Sequence, residues 1–179
     1  MKHTTCRQWI CAWVLACSTL FLQAQPTENV LPYSWTTDNL PAANVPDYTL
    51  NPGAAESAQI AARLQNDPGS PVFTLPMTAD AGPDAAGVWT DLPNGDRIWR
   101  LSISSRGAKA LFLLFDEWKI PPGARVHVYD PEHRQLLGGF GFAGNNANGQ
   151  FIIGPLRGQT AVLEYYEPMA VRNTGRLHL

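Results

Sequence analysis

The segment from Gly87 to Asp130 constrains the fold most, because its apolar and polar residues alternate with a period of two. Such alternation places successive side chains on opposite faces of a β-strand. Val88 to Leu92 predicts one strand, and Arg97 to Ser104 predicts the return strand. The Asn94-Gly95 pair between them is a strong hairpin signal, since both residue types tolerate a positive φ. The sequence therefore predicts an antiparallel hairpin at the start of the core.

The two faces of the return strand differ in polarity. One face carries Trp99, Leu101 and Ile103, and we expect it to be buried. The other face is predicted to be mostly exposed to solvent. It carries Ile98, Arg100, Ser102 and Ser104.

Turn residues recur about every ten positions after this hairpin. Residues 110–115 are apolar on both faces, which predicts a central buried strand. The other predicted strands are 125–129, 136–142, 150–153 and 160–166. About seven short strands with this spacing are typical of an all-β antiparallel sandwich. We place its core at residues 87–168 and expect residues 169–179 to begin a linker or a further domain.

A different composition precedes the sandwich. Residues 26–53 are rich in proline and asparagine, which predicts an extended arm lying over the domain. Residues 54–66 predict one short helix, ended by Asp67-Pro68-Gly69. A further short strand is predicted at Val72–Leu75. We therefore define residues 26–86 as an arm with one helix.

The first 25 residues predict a signal peptide. Lys2 and Arg7 precede an apolar run over residues 9–22, and cleavage is expected near Ala24 or Gln25. The alternative is a lipoprotein signal at Cys17. The chain is accordingly expected to be secreted or periplasmic, with no membrane association after cleavage.

The leader holds all three cysteines of the chain, Cys6, Cys11 and Cys17. A secreted product without cysteine depends on its apolar core for stability. Removing Lys2 and Arg7 leaves 11 basic against 15 acidic residues, a formal charge of −4. This mild, dispersed acidity argues against nucleic acid as a partner.

The residue types that could carry catalysis are few. His127, His133 and His178 are the histidines after the leader, and His127 is expected to face solvent. The serines on or after the second strand, Ser102, Ser104 and Ser105, lack the sequence context of a nucleophile. We therefore assign no catalytic residue.

Two acidic clusters have metal-binding residue types. Asp130, Glu132 and His133 lie in one cluster, which we interpret as a turn capped by Asp130. Asp91, Asn94 and Asp96 lie in the hairpin and lack the alternate spacing of a calcium loop. No metal-binding or cofactor-binding residue is assigned.

The large aromatic residues allow two interpretations: they form a sugar-stacking platform, or they belong to the core. The set is Trp89, Trp99, Trp118, Tyr129, Tyr165 and Tyr166. Trp89 and Trp99 are predicted to be core residues, because large aromatics dominate the burial of apolar area. Trp118 lies near a turn and is expected to be partly exposed.

Four ordered motifs carry a resemblance to a known family. They are LPNGDRIWRLSISSRGA, IPPGARVHVYD, the later GGF with GQF, and GPLRG followed by VLEYYEP. This series resembles the N-terminal pro-region of lysyl-endopeptidase-like, trypsin-fold serine proteases, over about residues 87–168. The resemblance implies a β-sandwich that precedes a catalytic domain. The Gly-Asp-Ser-Gly nucleophile segment of that family is absent, so no catalytic residue is transferred.

This resemblance leads to two functional expectations. The first is a non-catalytic accessory or pro-region domain, from a truncated or longer protease, that binds the catalytic domain and assists its folding or masks its active site. The alternative is a secreted carbohydrate-binding or surface-adhesion module, which requires a flat row of exposed tryptophans.

Overall fold

The computed structural model describes residues 27–37, 40, 45–66 and 74–179. The predicted signal peptide, the lipoprotein alternative and the helix-ending Asp67-Pro68-Gly69 lie outside these residues. So do Val72 and Phe73 of the short predicted strand, while Thr74 and Leu75 are not in a strand.

The regular secondary structure of the described chain is mostly β, as predicted. Its helix α1 spans Ala54–Asn66, as the composition of that segment indicated. Ten strands are described, in chain order: β1 (Asp47–Leu50), β2 (Val88–Asp91), β3 (Arg97–Ser105), β4 (Ala110–Phe115), β5 (Glu117–Lys119), β6 (Arg125–Tyr129), β7 (Leu136–Phe140), β8 (Phe151–Arg157), β9 (Thr160–Glu167) and β10 (Arg176–His178). Short 3-10 turns lie at Tyr33–Trp35, Phe142–Gly144 and Met169–Val171.

The strands form one large sheet and two small ones. The large sheet has the order β1-β3-β9-β6-β7, and β2 also pairs with β3. Its pairs are antiparallel except β1 with β3. β4 pairs with β8, and β5 pairs with β10. The result is an open, sandwich-like arrangement that confirms the predicted fold class.

The core lies between the large sheet and the β4–β8 pair. The strand registers place Trp99, Tyr165 and Val126 on the inner face of the large sheet, and all three are buried. Phe115 and Ile153 contribute from the small sheet. Burying this apolar surface is the main source of stability in a domain that has no cysteine among its described residues.

The predicted hairpin is present, and its turn has one residue with a positive φ. Gly95 has a φ of 86°, whereas the φ of Asn94 is not positive. Asn94 instead uses its side chain, whose Oδ1 accepts from the Asp96 N–H at 3.1 Å. The Asn-Gly pair therefore predicted the position of the turn correctly, but its backbone geometry differs from the one predicted.

The prediction for residues 110–115 was wrong. β4 belongs to a two-stranded sheet, and Phe112 and Leu114 are exposed while Leu113 and Phe115 are buried. A run that is apolar on both faces does not reveal whether a second layer covers both of them.

The C-terminal residues 169–179 are attached to the same folded unit. Arg176, Leu177 and His178 pair with Lys119, Trp118 and Glu117, respectively. Leu177 is buried, and the Leu179 N–H donates to the Ala81 carbonyl oxygen at 3.0 Å.

Candidate functional site

The outward face of the β4–β8 pair is apolar and exposed. Phe112, Leu114 and Ile152 are 46 %, 56 % and 53 % exposed, although their neighbours Leu113 and Ile153 are buried. Leu114 and Ile152 lie directly opposite each other in the strand register. Contiguous apolar surface of this kind marks an interaction site more often than isolated exposed residues do. We call Phe112, Leu114 and Ile152 the apolar face.

Uncharged amides lie beside the apolar face. A hollow of about 340 Å³ is lined by Leu114, Asn146, Asn148, Gln150, Phe151 and Ile152. None of these side chains carries a formal charge. An apolar centre with a polar, uncharged margin is the composition found in protein–protein interfaces, whose cores are depleted in charge.

The two outer edges of this small sheet differ. On β8, the Gln135 side chain caps the backbone of Arg157, with its Nε2 donating to the carbonyl oxygen at 2.9 Å and its Oε1 accepting from the N–H at 3.0 Å. Within the described ranges, β4 pairs with no strand other than β8. An open strand edge is a template for pairing with a strand of another chain. The apolar face and the β4 edge therefore form one candidate docking surface.

The second candidate region is a row of buried polar residues on the outer face of the large sheet. Arg100, Glu164 and His127 lie side by side on β3, β9 and β6. Their exposed fractions are 6 %, 0 % and 1 %. The prediction that this face of β3 is mostly exposed to solvent was wrong at Ile98 and Arg100, which are both buried. On the neighbouring strands β9 and β6, a segment distant in sequence covers the same face.

That covering segment is the N-terminal strap, which we define as residues 27–36. Thr27 forms an antiparallel bridge with Phe140, and the Glu28 N–H donates to the Gly139 carbonyl oxygen at 2.8 Å. Farther along, Tyr33 stacks on Tyr166 with ring centroids 6.1 Å apart. The strap thus crosses the large sheet from β7 toward β9.

Two backbone groups of the strap satisfy members of the polar row. The Ser34 N–H donates to Glu164 Oε1 at 3.3 Å, and His127 Nε2 lies 2.8 Å from the Val30 carbonyl oxygen. Because a carbonyl oxygen only accepts, Nε2 carries the hydrogen in this contact. His127 was predicted to face solvent, and that prediction was wrong because the strap covers it.

Burial sets the protonation of this region. Burial lowers the pKa of His127, although the bond to Val30 opposes the change, so the ring is neutral near pH 7. Burial also raises the pKa of Tyr129, with the Glu164 charge adding to it. Tyr129 therefore keeps its hydroxyl hydrogen and donates it to Glu164 Oε2 at 3.3 Å.

The predicted serine and histidine candidates do not come together. Ser102 and Ser104 each donate to a carboxylate oxygen of Asp47 at 2.7 Å, which fastens β1 to β3. His178 lies between Asp116 at 2.8 Å and Asp80 at 3.1 Å. In the described part of the chain, no histidine is hydrogen-bonded to a serine.

The Asp130 cluster is a turn, as interpreted. Asp130 Oδ1 accepts from the Gln135 N–H at 2.6 Å, and His133 has a φ of 58°. Arg134 pairs with both Asp130 and Glu132, at 3.0 and 2.9 Å. The His133 ring stacks on Trp35 at 4.4 Å. No group of three metal-ligating side chains was found among the described residues.

The aromatic residues serve mainly the core. Trp99 is fully buried, as predicted, and Trp89 is half-buried against the core. The prediction for Trp118 was wrong, because it is only 2 % exposed and stacks on Phe151 at 4.2 Å. Pairing of β5 with β10 covers this tryptophan.

A polar cluster closes the other end of the large sheet. Arg97 donates to Glu167 at 2.6 Å and to Asn173 at 2.6 Å, and its guanidinium lies 3.7 Å from the ring centre of Trp89. The Tyr165 hydroxyl also donates to Glu167, at 3.3 Å. These bonds attach residues 169–179 to the large sheet. The cluster therefore has a structural role.

Comparisons with protein-family models, with curated proteins and with solved structures found no match. No helix within the described ranges is long and apolar enough to cross a membrane.

Proposed function

We propose that this chain is a non-catalytic accessory domain, of the pro-region kind, that binds the catalytic domain of a secreted lysyl-endopeptidase-like serine protease. The observation that supports it is the apolar face formed by Phe112, Leu114 and Ile152, beside the edge of β4 that no other described strand pairs with. A docking surface for a folded protein needs such an apolar centre. The four sequence motifs that resemble the pro-region supply the identity of the partner.

The proposed mechanism is a binding one. The partner's apolar surface covers the apolar face, and a partner strand pairs with the outer edge of β4. Binding in cis or in trans stabilises the folded catalytic domain by mass action, because the unfolded domain has no matching surface. The same contact masks the active site if it covers the substrate cleft.

The carbohydrate-binding alternative is less well supported. It requires a row of exposed tryptophans, but Trp99 and Trp118 are buried and Trp35 and Trp89 are only half-exposed in the described chain.

A refolding experiment tests the proposal. A denatured lysyl-endopeptidase catalytic domain is diluted into buffer with the purified chain, and the recovered activity is measured after the chain is removed. We expect the wild-type chain to raise the yield, and the Phe112→Ser/Leu114→Ser variant to lose most of that effect.

The matched control is Leu31→Ser/Met169→Ser, which removes two apolar residues that are 54 % and 65 % exposed elsewhere on the molecule. We expect it to act like the wild type. An unchanged yield with the wild-type chain, or equal effects of the two variants, would contradict the proposal.

A further inference from the structure

Arg100 has an unusual hydrogen-bonding state for a buried charge. It is 6 % exposed, yet its Nε and Nη2 atoms have no hydrogen-bond partner among the described residues. A buried ionised group without partners costs several kcal/mol, so such groups are rare unless they serve a function.

The two unpartnered atoms form one edge of the guanidinium. Nε–H and one Nη–H point in parallel, and this fork matches the two oxygens of a carboxylate. The strap contacts Glu164 and His127 without satisfying this edge. It gives its Ser34 N–H to Glu164 and its Val30 carbonyl oxygen to His127, and among the described residues no hydrogen bond joins the strap to Arg100.

The neighbouring groups favour an acceptor as the missing partner. Trp35, on the strap itself, has a buried Nε1–H that is also unpartnered among the described residues. Glu164 lies beside Arg100 in the register, but its two oxygens already accept from Ser34 and Tyr129. Arg100 and Trp35 therefore supply three unused donor atoms to this region, whereas His127 Nδ1 is its one unused acceptor among the described residues.

We propose that the Arg100 edge is a concealed binding site for a carboxylate, reached when the chain around it opens locally. Local opening of part of a folded domain costs less free energy than its global unfolding. Glu164 competes for the same positive charge, so the expected Kd for a small carboxylate is on the order of millimolar.

The probe is sodium acetate, titrated at constant ionic strength against sodium chloride. The Nε–Hε resonance of Arg100, assigned by triple-resonance NMR on the wild-type chain, is followed. We expect a saturable shift of this resonance with acetate and none with chloride. The exposed Arg106 supplies the internal control, whose Nε–Hε resonance should move little.

Two variants distinguish binding of acetate by the planar guanidinium edge from binding by the positive charge alone. Arg100→Lys keeps the charge but loses the planar edge, so we expect Kd for acetate to rise about tenfold. The increase in Tm produced by acetate should disappear in Arg100→Met and persist in Arg106→Met. A Glu-containing tripeptide in place of acetate distinguishes a peptide carboxylate from a small free acid as the source.

An Arg100 resonance that does not respond to acetate in the wild type would overturn the proposal, whatever the variants do. An equal increase in Tm in wild type and Arg100→Met would overturn it as well. Neither result bears on the apolar face, so this inference stands or falls separately from the proposed function.

Discussion

Two histidines show how position in the fold sets the charge of a single side chain. His127 is buried under the strap, and burial lowers its pKa below 6.5. His178 lies between Asp80 and Asp116, whose hydrogen bonds raise its pKa above 6.5. Nothing in the residues beside either histidine distinguishes these environments, because the contacts join residues 97, 98 and 62 positions apart.

Because the two pKa values are shifted in opposite directions, the two histidines are expected to change the stability of the fold with pH in opposite directions. His178 binds its proton more tightly when folded, so its stabilisation is complete below about pH 6.5 and is lost as pH rises through its folded pKa. His127 stays neutral when folded, so its contribution is present above about pH 6.5 and is lost as pH falls through its folded pKa.

A pH titration of the histidine ring resonances by NMR measures both directly. We expect His178 to titrate above 6.5 and His127 below it, with His178→Gln and His127→Gln used for assignment. Asp80→Asn is the matched test for His178, and it should lower the titration midpoint of that ring alone. A His127 midpoint above 6.5 would show that the strap does not cover the ring in solution.

At the scale of the element, β4 combines a structural face and a recognition face in six residues. Leu113 and Phe115 point into the core, and Phe112 and Leu114 point outward. The alternation is visible in the structure but hidden in the sequence, because every residue from Ala110 to Phe115 is apolar. The apolar face was therefore missed by sequence reasoning, since an exposed apolar position resembles a buried one.

Two substitutions of the same type on β4 separate these faces. Phe115→Ala removes a fully buried ring, and we expect it to lower the free energy of unfolding by about 3–5 kcal/mol. Phe112→Ala removes a 46 % exposed ring, and the expected loss is below about 1 kcal/mol. Urea denaturation of both variants provides the comparison. Losses of similar size would place the Phe112 side chain in a core and contradict the apolar face.

Sequence patterns predicted the elements that local chemistry determines. The β2–β3 hairpin, the helix α1 and the Asp130 turn follow from nearby residues, and the structure has all three. The short strands β1, β5 and β10 were not predicted, since their three or four residues acquire strand geometry from distant partners. Pairing of β5 with β10 also buries Trp118, and the distant strap buries His127, which is why the predicted exposure of these two residues was wrong.

At the scale of the whole molecule, the two faces available for binding differ in chemistry. The β4–β8 side presents the apolar face and, within the described residues, an edge of β4 without a paired strand. The opposite side of the large sheet holds buried polar residues, and the strap contacts two of them, Glu164 and His127. A partner protein is expected on the first side, because apolar area removed from water drives association of folded domains.

Hydrogen–deuterium exchange of the chain, with and without a lysyl-endopeptidase catalytic domain, tests this claim most directly. We predict slower amide exchange in the complex within Ala110–Phe115 and Phe151–Arg157, with residues 27–36 unchanged. Protection confined to the strap, or no protection at a saturating concentration of the catalytic domain, would contradict the account.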